Sequence, residues 1–265
     1  MPGTEHCTWE RVGATLVVTM SRPEARNALS GPMLVGLYDA WHEVDENPDI
    51  RCAVLTGAGG NFCAGADLKA MFGGGGDRPY AERWQQDPDL HWKALLRHYH
   101  LRKPLIAAVE GYAVAGGTEI LQATHIRVAA ASATFGIFEA RRGLFPQGGS
   151  TVRLVRQIGY TAAMEMLLTA RAYTAAEALS IGLVGRVVLD GEALPTALEI
   201  ADTVAANGPL AVEAVLRSVR EPECLPEDEA LAKELEIGWP IFATEDAKEG
   251  TRAFAQKRPP QFQRR

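Results

Sequence analysis

Short apolar runs punctuated by glycine fill the first two thirds of the chain, and longer helical repeats fill the last third. Thr8–Val12 and Thr15–Met20 flank Gly13-Ala14, a pattern that predicts a β-hairpin. Pro23–Asn27 reads as a turn, and Ser30 as the N-cap of a helix from about Gly31 to Val44. Cys52–Thr56 is a short buried strand that ends in Gly57-Ala58-Gly59-Gly60. Phe62–Lys69 predicts a strand end turning into a helix start. Gly73–Gly76 and Asp77-Arg78-Pro79 predict a loop, and Tyr80 to Arg102 a helix. Pro104–Val109 is a second buried strand, leading through a loop into a helix that carries Glu119. Ile126–Ala129 and Thr134–Gly136 predict further strands, and Gly148–Gln157 and Thr161–Leu168 helices. From Thr174 the pattern is helical apart from a strand near Arg186–Val188, and Gly208–Glu249 holds no strand pattern. Strands alternating with helices place the chain in the α/β class, and no tandem repeat of fixed period is visible.

Composition narrows the classes. The 265 residues suffice for one large domain or a domain with an appendage, here a core over 1–207 and a helical region over 208–265. A net charge of −6 argues against a nucleic-acid partner, so an anionic ligand needs a local cluster of cations. Met1–His6 lacks the basic start and apolar run of a signal peptide. The best membrane candidate, Pro104–Ile120, is broken by Glu110, Gly111, Gly116 and Gly117, so no membrane partner is expected. Cys7, Cys52, Cys63 and Cys224 form no C-x-x-C pair, which fits a cytoplasmic protein with reduced thiols.

Candidate chemistry gathers around glycine. Gly57–Gly65, Gly111–Gly117 and Gly143–Gly149 each follow a short strand, and each alone is as compatible with a structural turn as with a ligand site. Gly57–Phe62 does not fit G-x-G-x-x-G, and no Lys-Ser/Thr ending supports a P-loop. Glu119 and Glu139 each close or follow such a segment. Taken alone, both read as surface glutamates as readily as an acid–base pair. His98-Tyr99-His100 lacks the i, i+4 spacing of a zinc helix, so no metal is expected, and no G-x-S-x-G elbow supports a serine hydrolase.

Taken together the segments say more. Phe62–Lys69, Ala115-Gly116-Gly117-Thr118-Glu119 and Phe135-Gly136-x-x-Glu139 stand in an order and spacing that closely resembles the enoyl-CoA hydratase (crotonase) family. Arg22-Pro23 with Asn27-Ala28-Leu29, Ala175–Ala178 with Gly182-Leu183-Val184, and Ala253–Arg258 extend the resemblance over nearly the whole chain.

The resemblance implies a crotonase (ClpP/crotonase-like) fold of repeated ββα units with a helical C-terminal region for oligomerisation, assembled as a homotrimer or dimer of trimers. It implies reversible syn hydration of a trans-2-enoyl-CoA, straight-chain or as bulky as a steroid side-chain thioester. No cofactor is implied, coenzyme A being part of the substrate. An enoyl-CoA isomerase is the rival within the family, and a non-catalytic acyl-CoA-binding protein the rival outside its chemistry. Carried over by position, Glu119 holds and activates water while Glu139 exchanges the proton at Cα. The backbone N–H groups of Ala66 and Gly116 form the oxyanion hole, worth about 3 kcal/mol per donor. Arg26, Ala28, Ala64, Asp67, Leu68, Lys69, Gly117, Phe254 and Lys257 are implied to bind substrate and its CoA. Three departures stand out: Gln147 follows Pro146 where glycine is usual, Phe138 precedes Glu139 in place of proline, and Phe72–Trp92 forms a distinctive acyl wall. Within that wall Trp84 and Trp92 can line a roomy pocket or pack the helix, and core packing is the expected role.

Overall fold

A computed structural model describes residues 3–69 and 80–265. The loop expected over Gly73–Gly76 and Asp77–Pro79 lies outside the described residues. The hairpin forms as predicted, with β1 (Cys7–Val12) antiparallel to β2 (Thr15–Met20). Helix α1 (Gly31–Glu46) is capped by Ser30, whose Oγ accepts from the Met33 N–H at 3.3 Å. Its apolar side buries Met33, Leu37, Trp41 and Val44 against the sheet, and the Trp41 indole donates to the Ala94 carbonyl at 2.8 Å. A buried indole N–H without that acceptor would destabilise the packing.

Strands β3 (Cys52–Gly57) and β4 (Leu105–Val109) are buried along nearly their whole length. That explains their continuous apolar runs, since a parallel strand is covered on both faces. With β6 (Ile126–Ala130) and β9 (Arg186–Val188) they complete a six-stranded sheet, ordered β1-β2-β3-β4-β6-β9 and parallel except for the hairpin. A second sheet of three strands holds β5 (Tyr112–Val114), β7 (Thr134–Gly136) and β8 (Tyr173–Thr174) in that order.

The expected helix from Tyr80 to Arg102 does not form as one element. Two short helices stand there, α2 (Ala81–Gln86) and α3 (Leu90–Ala94). Pro88 lacks an N–H and pushes the preceding Asp87 out of the helical region, to φ −137° and ψ 87°. Leu96 then takes a positive φ of 53°, which ends the second helix, and His98–His100 lie in irregular chain. Among the described residues the further α-helices are α4 (Gly116–Leu121), α5 (Ser150–Ile158), α6 (Tyr160–Thr169), α7 (Ala175–Ser180), α8 (Ala193–Ala205), α9 (Pro209–Arg220), α10 (Glu227–Gly238) and α11 (Glu245–Ala255).

The ββα repetition is visible in register. Cys63 pairs with Ala113, and Ala113 pairs with Phe135, so one residue from each unit lies in a row across the second sheet. Cys63, an isolated bridge, follows β3, while Ala113 in β5 and Phe135 in β7 follow β4 and β6. Three residues beyond the row stand Ala66, Gly116 and Phe138, with Glu139 next. Parallel registration of three repeats therefore delivers the candidate site residues to one edge.

The last helices are tied to the core through the chain end. Arg51 donates to the carbonyls of Ala205 and Phe262 at 2.7 Å each, and Arg264 forms a two-pronged pair with Glu213 at 2.9 Å. Leu231, Leu235, Trp239 and Phe242 on this helical region are exposed.

Candidate active site

Two turns carry the candidate donors, and they pack against each other. The Leu29 N–H donates to the Gly65 carbonyl at 2.8 Å, and the Asp67 N–H donates to the Leu29 carbonyl at 3.2 Å. Because both flanking residues face Leu29, the N–H of Ala66 between them points the other way. Gly116 opens α4, so its N–H has no carbonyl one turn back. Among the described residues neither N–H is taken by a hydrogen bond. The two lie close: a Cβ built on Gly116 would stand 3.5 Å from the Ala66 nitrogen.

Local strain holds this arrangement. Ala115 takes φ 52° and ψ −125°, a region that costs a non-glycine residue about 1–3 kcal/mol. Its N–H is fixed by the Gly136 carbonyl at 2.7 Å. Gly65, at φ +90°, must be glycine twice over, for its conformation and because a Cβ there would lie 2.7 Å from that of Ala115. Gly117 touches Cys63 so closely that a Cβ would fall 2.2 Å from its carbonyl oxygen.

Glu119 sits one turn into α4 and is only 5 % exposed. Its Oε1 accepts the Ser150 N–H at 3.4 Å. Burial, followed by the charge of Glu139, pushes its carboxyl up to about 7, against the pull of the Ser150 and Gly148 N–H groups and the Ser150 hydroxyl. Glu139 opens a 3₁₀ turn over Glu139–Arg142 and is partly buried. Burial raises its carboxyl as well, opposed by its own N–H and by Arg142. Its Oε2 is buried with no hydrogen-bond partner among the described residues. An ionised oxygen in that state is expensive to leave unsatisfied, which marks it as a place for a reacting proton or a water. The charge of Glu139 adds to burial in raising Glu119, so the two carboxyls titrate as a coupled pair. The site therefore combines two spare N–H donors with a base and an acid.

The chain matches the family model described as enoyl-CoA hydratase/isomerase over residues 10–265. The chain belongs to the enoyl-CoA hydratase/isomerase family. It is 58% identical over 258 residues to enoyl-CoA hydratase EchA19 of Mycobacterium tuberculosis H37Rv, covering 97% of this chain and 96% of that one. Among solved structures it resembles enoyl-CoA hydratase EchA1 from Mycobacterium marinum, with a TM-score of 0.90 and 40% identity over 98% of this chain and all of that one. An enoyl-CoA hydratase structure from Mycobacterium tuberculosis H37Rv gives a TM-score of 0.90 at 39% identity, with 98% and 100% covered. The fold is thus the crotonase fold that the motifs imply.

Within this crotonase frame the remaining expected residues divide. Arg26 is exposed, takes φ 49° and stacks over the Tyr112 ring at 4.9 Å, while its carbonyl accepts from Ala64 at 3.0 Å. Ala28 donates to Ala25 at 3.1 Å and Leu68 to Ala66 at 3.0 Å, so their backbones shape the turns beside the donors. The Asp67 carboxylate accepts from Arg22 at 2.6 Å and from the Lys69 N–H at 3.1 Å, bracing the Ala66 turn. The Lys69 side chain is exposed. Phe254 is 87% exposed and Lys257 is exposed, and neither side chain makes a hydrogen bond or ion pair among the described residues.

The departures from the family pattern resolve structurally. The Gln147 side chain is exposed while its carbonyl accepts from Arg97 Nε at 2.8 Å, and it is the next residue, Gly148, that packs on Glu119. Phe138 packs its ring under Arg141 and over Gly136. Trp92 is not core packing: with Arg97, Phe145, Pro146 and Gln147 it lines an open cavity of about 290 Å³. Trp84 is half-buried beside His91. Sequence reasoning passed over Gln122, Gly148, Ser150 and Arg153 as site residues. The Gly148-Gly149 pair was a visible signal for one of them. For Gln122 the chain carries no local signal, because it meets Ser150 only across 28 residues.

Proposed function

We propose that the protein hydrates a trans-2-enoyl-CoA reversibly to the 3-hydroxyacyl-CoA, as a hydro-lyase of this family. Ionised Glu119 takes a proton from water as the water oxygen bonds Cβ. Electrons move through the enoyl system to the thioester oxygen, where the N–H groups of Ala66 and Gly116 stabilise the enolate. Protonated Glu139 then delivers its proton to Cα. In reverse, protonated Glu119 gives its proton to the departing hydroxyl while ionised Glu139 removes the one at Cα. Either direction requires the pair to hold one proton, which is favoured by the burial that raises both carboxyls and by the charge of Glu139 on Glu119.

The observation that carries this reading is the combination of two carboxyls raised by burial, Glu119 also by the charge of Glu139, with two adjacent unused N–H donors. An isomerase needs one carboxylate to move a proton and gives no reason to bury a second. The reaction so written needs no redox cofactor, since no electron leaves the substrate, and the two N–H donors take up the oxyanion charge that a metal would otherwise carry. Arg26, Lys69 and Lys257 supply the cations for the CoA phosphates, with Lys257 and Phe254 acting at a neighbouring subunit. The homotrimer, or dimer of trimers, that this requires is supported by the apolar side chains exposed on the region 208–265. Among the described residues no helix is long and apolar enough to cross a membrane, and four free cysteines support a cytoplasmic placement.

The test is to mix purified protein with crotonyl-CoA and with longer or bulkier enoyl-CoAs. Loss of the enoyl absorbance, with the product gaining the mass of one water, is expected. Double-bond migration without added mass would establish the isomerase instead.

A further inference from the structure

Ser150 and Gln122 form a buried polar pair directly behind Glu119. Ser150 is 0% exposed at the first position of α5, and Gln122 is 2% exposed at the end of α4. Gln122 Nε2 donates to Ser150 Oγ at 2.8 Å and to the Thr118 carbonyl at 3.1 Å, so both amide protons are used. The Thr118 carbonyl sets the amide facing this way, which leaves Gln122 Oε1 buried with no hydrogen-bond partner among the described residues. Flipped, Gln122 would set its own oxygen against that carbonyl, two acceptors in contact.

The consequence falls on the serine hydroxyl. Ser150 Oγ already accepts from Gln122, which leaves its own proton free to turn towards the adjacent Glu119 carboxyl, and the Ser150 side chain draws that carboxyl down. The Ser150 backbone N–H donates to the same carboxylate at 3.4 Å. The charged groups that face Glu119 are Glu139 from the 3₁₀ turn and Arg153 from α5, with Arg142 acting on Glu139 and Arg97 on Arg153. Against them the hydroxyl is an uncharged donor with a set direction, and it favours the ionised form of Glu119.

We infer that Ser150, oriented by Gln122, is a positioning residue that biases the proton shared by the two glutamates towards Glu139, the distribution from which hydration starts. This rests on the hydratase reading above. It goes beyond that reading by assigning the bias to two residues outside the set proposed to bind substrate or exchange its protons.

The experiment compares wild type, Ser150→Ala, Gln122→Met and the double variant by two readouts. The first is kcat/KM for hydration across pH, whose limbs report the free enzyme's pair. With the hydroxyl gone, Glu119 holds its proton more tightly. The alkaline limb, where the pair loses its last proton, therefore moves up by about one pH unit, and hydration near neutrality falls about tenfold. Gln122→Met moves the limb the same way by less, and the double variant moves it no further than Ser150→Ala. The second readout is the carboxyl titration of the two glutamates by NMR on 13C-labelled protein, assigned with Glu119→Gln. It shows the same upward shift without any turnover. Equal loss at every pH with limbs and titration unmoved would reduce Ser150 to packing and overturn the proposal. Should Ser150→Ala fail to fold, the Gln122→Met titration decides alone, an unshifted carboxyl counting against the proposal. If wild type hydrates no enoyl-CoA, the proposed reaction falls while the titration still reads the effect of Ser150.

Discussion

Gly148 lies against the carboxylate of Glu119 with no room for another carbon. A Cβ at position 148 would stand 2.6 Å from Glu119 Oε2, 2.7 Å from its Cδ and 2.9 Å from its Cβ. Gly148 does not occupy the left-handed region, so the demand for glycine here is one of contact and not of backbone conformation. Gly148→Ala is expected to displace the carboxylate and cut kcat by about a hundredfold, the scale on which small misplacements of a reacting group act. Steady-state kinetics beside a circular dichroism spectrum would check it, the spectrum staying native.

Gly116→Ala probes the other half of the site. The added methyl meets only the flexible Leu29 Cδ1 closely, at 3.0 Å, so the fold can adjust. Yet it lies 3.5 Å from the Ala66 nitrogen and crowds the space where both donors meet an oxygen. Turnover should fall by about a hundredfold or more while the thermal midpoint stays within a few degrees of wild type. A melting curve and a rate measured on the same preparation give the answer.

Glu119 should weaken the fold that carries it. Its carboxyl, held at about 7 against an ordinary 4.5, binds its proton more tightly folded than unfolded. Folded protein therefore holds the extra proton between those values, and stability falls as pH rises from about 4.5 to about 7, then levels. Glu119→Gln removes that slope. It is expected to be more stable than wild type by about 1–3 kcal/mol at pH 8, with the gain shrinking towards pH 5, on the scale of about 1.4 kcal/mol for each pH unit. Urea denaturation at both pH values measures the difference.

Much of this molecule is legible in its chain because the site is built from backbone turns. The strands β3, β4 and β7 announce themselves as short runs closed by glycine, and the donors at Ala66 and Gly116 sit where glycine permits close approach. Glu119 and Glu139 are locatable because each stands a few residues beyond the row Cys63, Ala113 and Phe135, in a glycine-containing segment. The stretch from Tyr80 to Arg102 misleads because its helical periodicity runs straight through Pro88, whose missing N–H divides it. The support behind Glu119 is hidden for a different reason. Gln122, Gly148 and Ser150 act through contacts across 28 to 31 residues, and nothing in the local pattern of either segment requires them.

The division of labour between the glutamates is the central claim, and one comparison tests it most directly. The kcat/KM for hydration of a trans-2-enoyl-CoA would be measured for wild type, Glu119→Gln and Glu139→Gln on folded protein. Each substitution removes one end of the proton path, so each is expected to lower the value by about a hundredfold or more. Wild-type rates in either variant would contradict the paired acid and base.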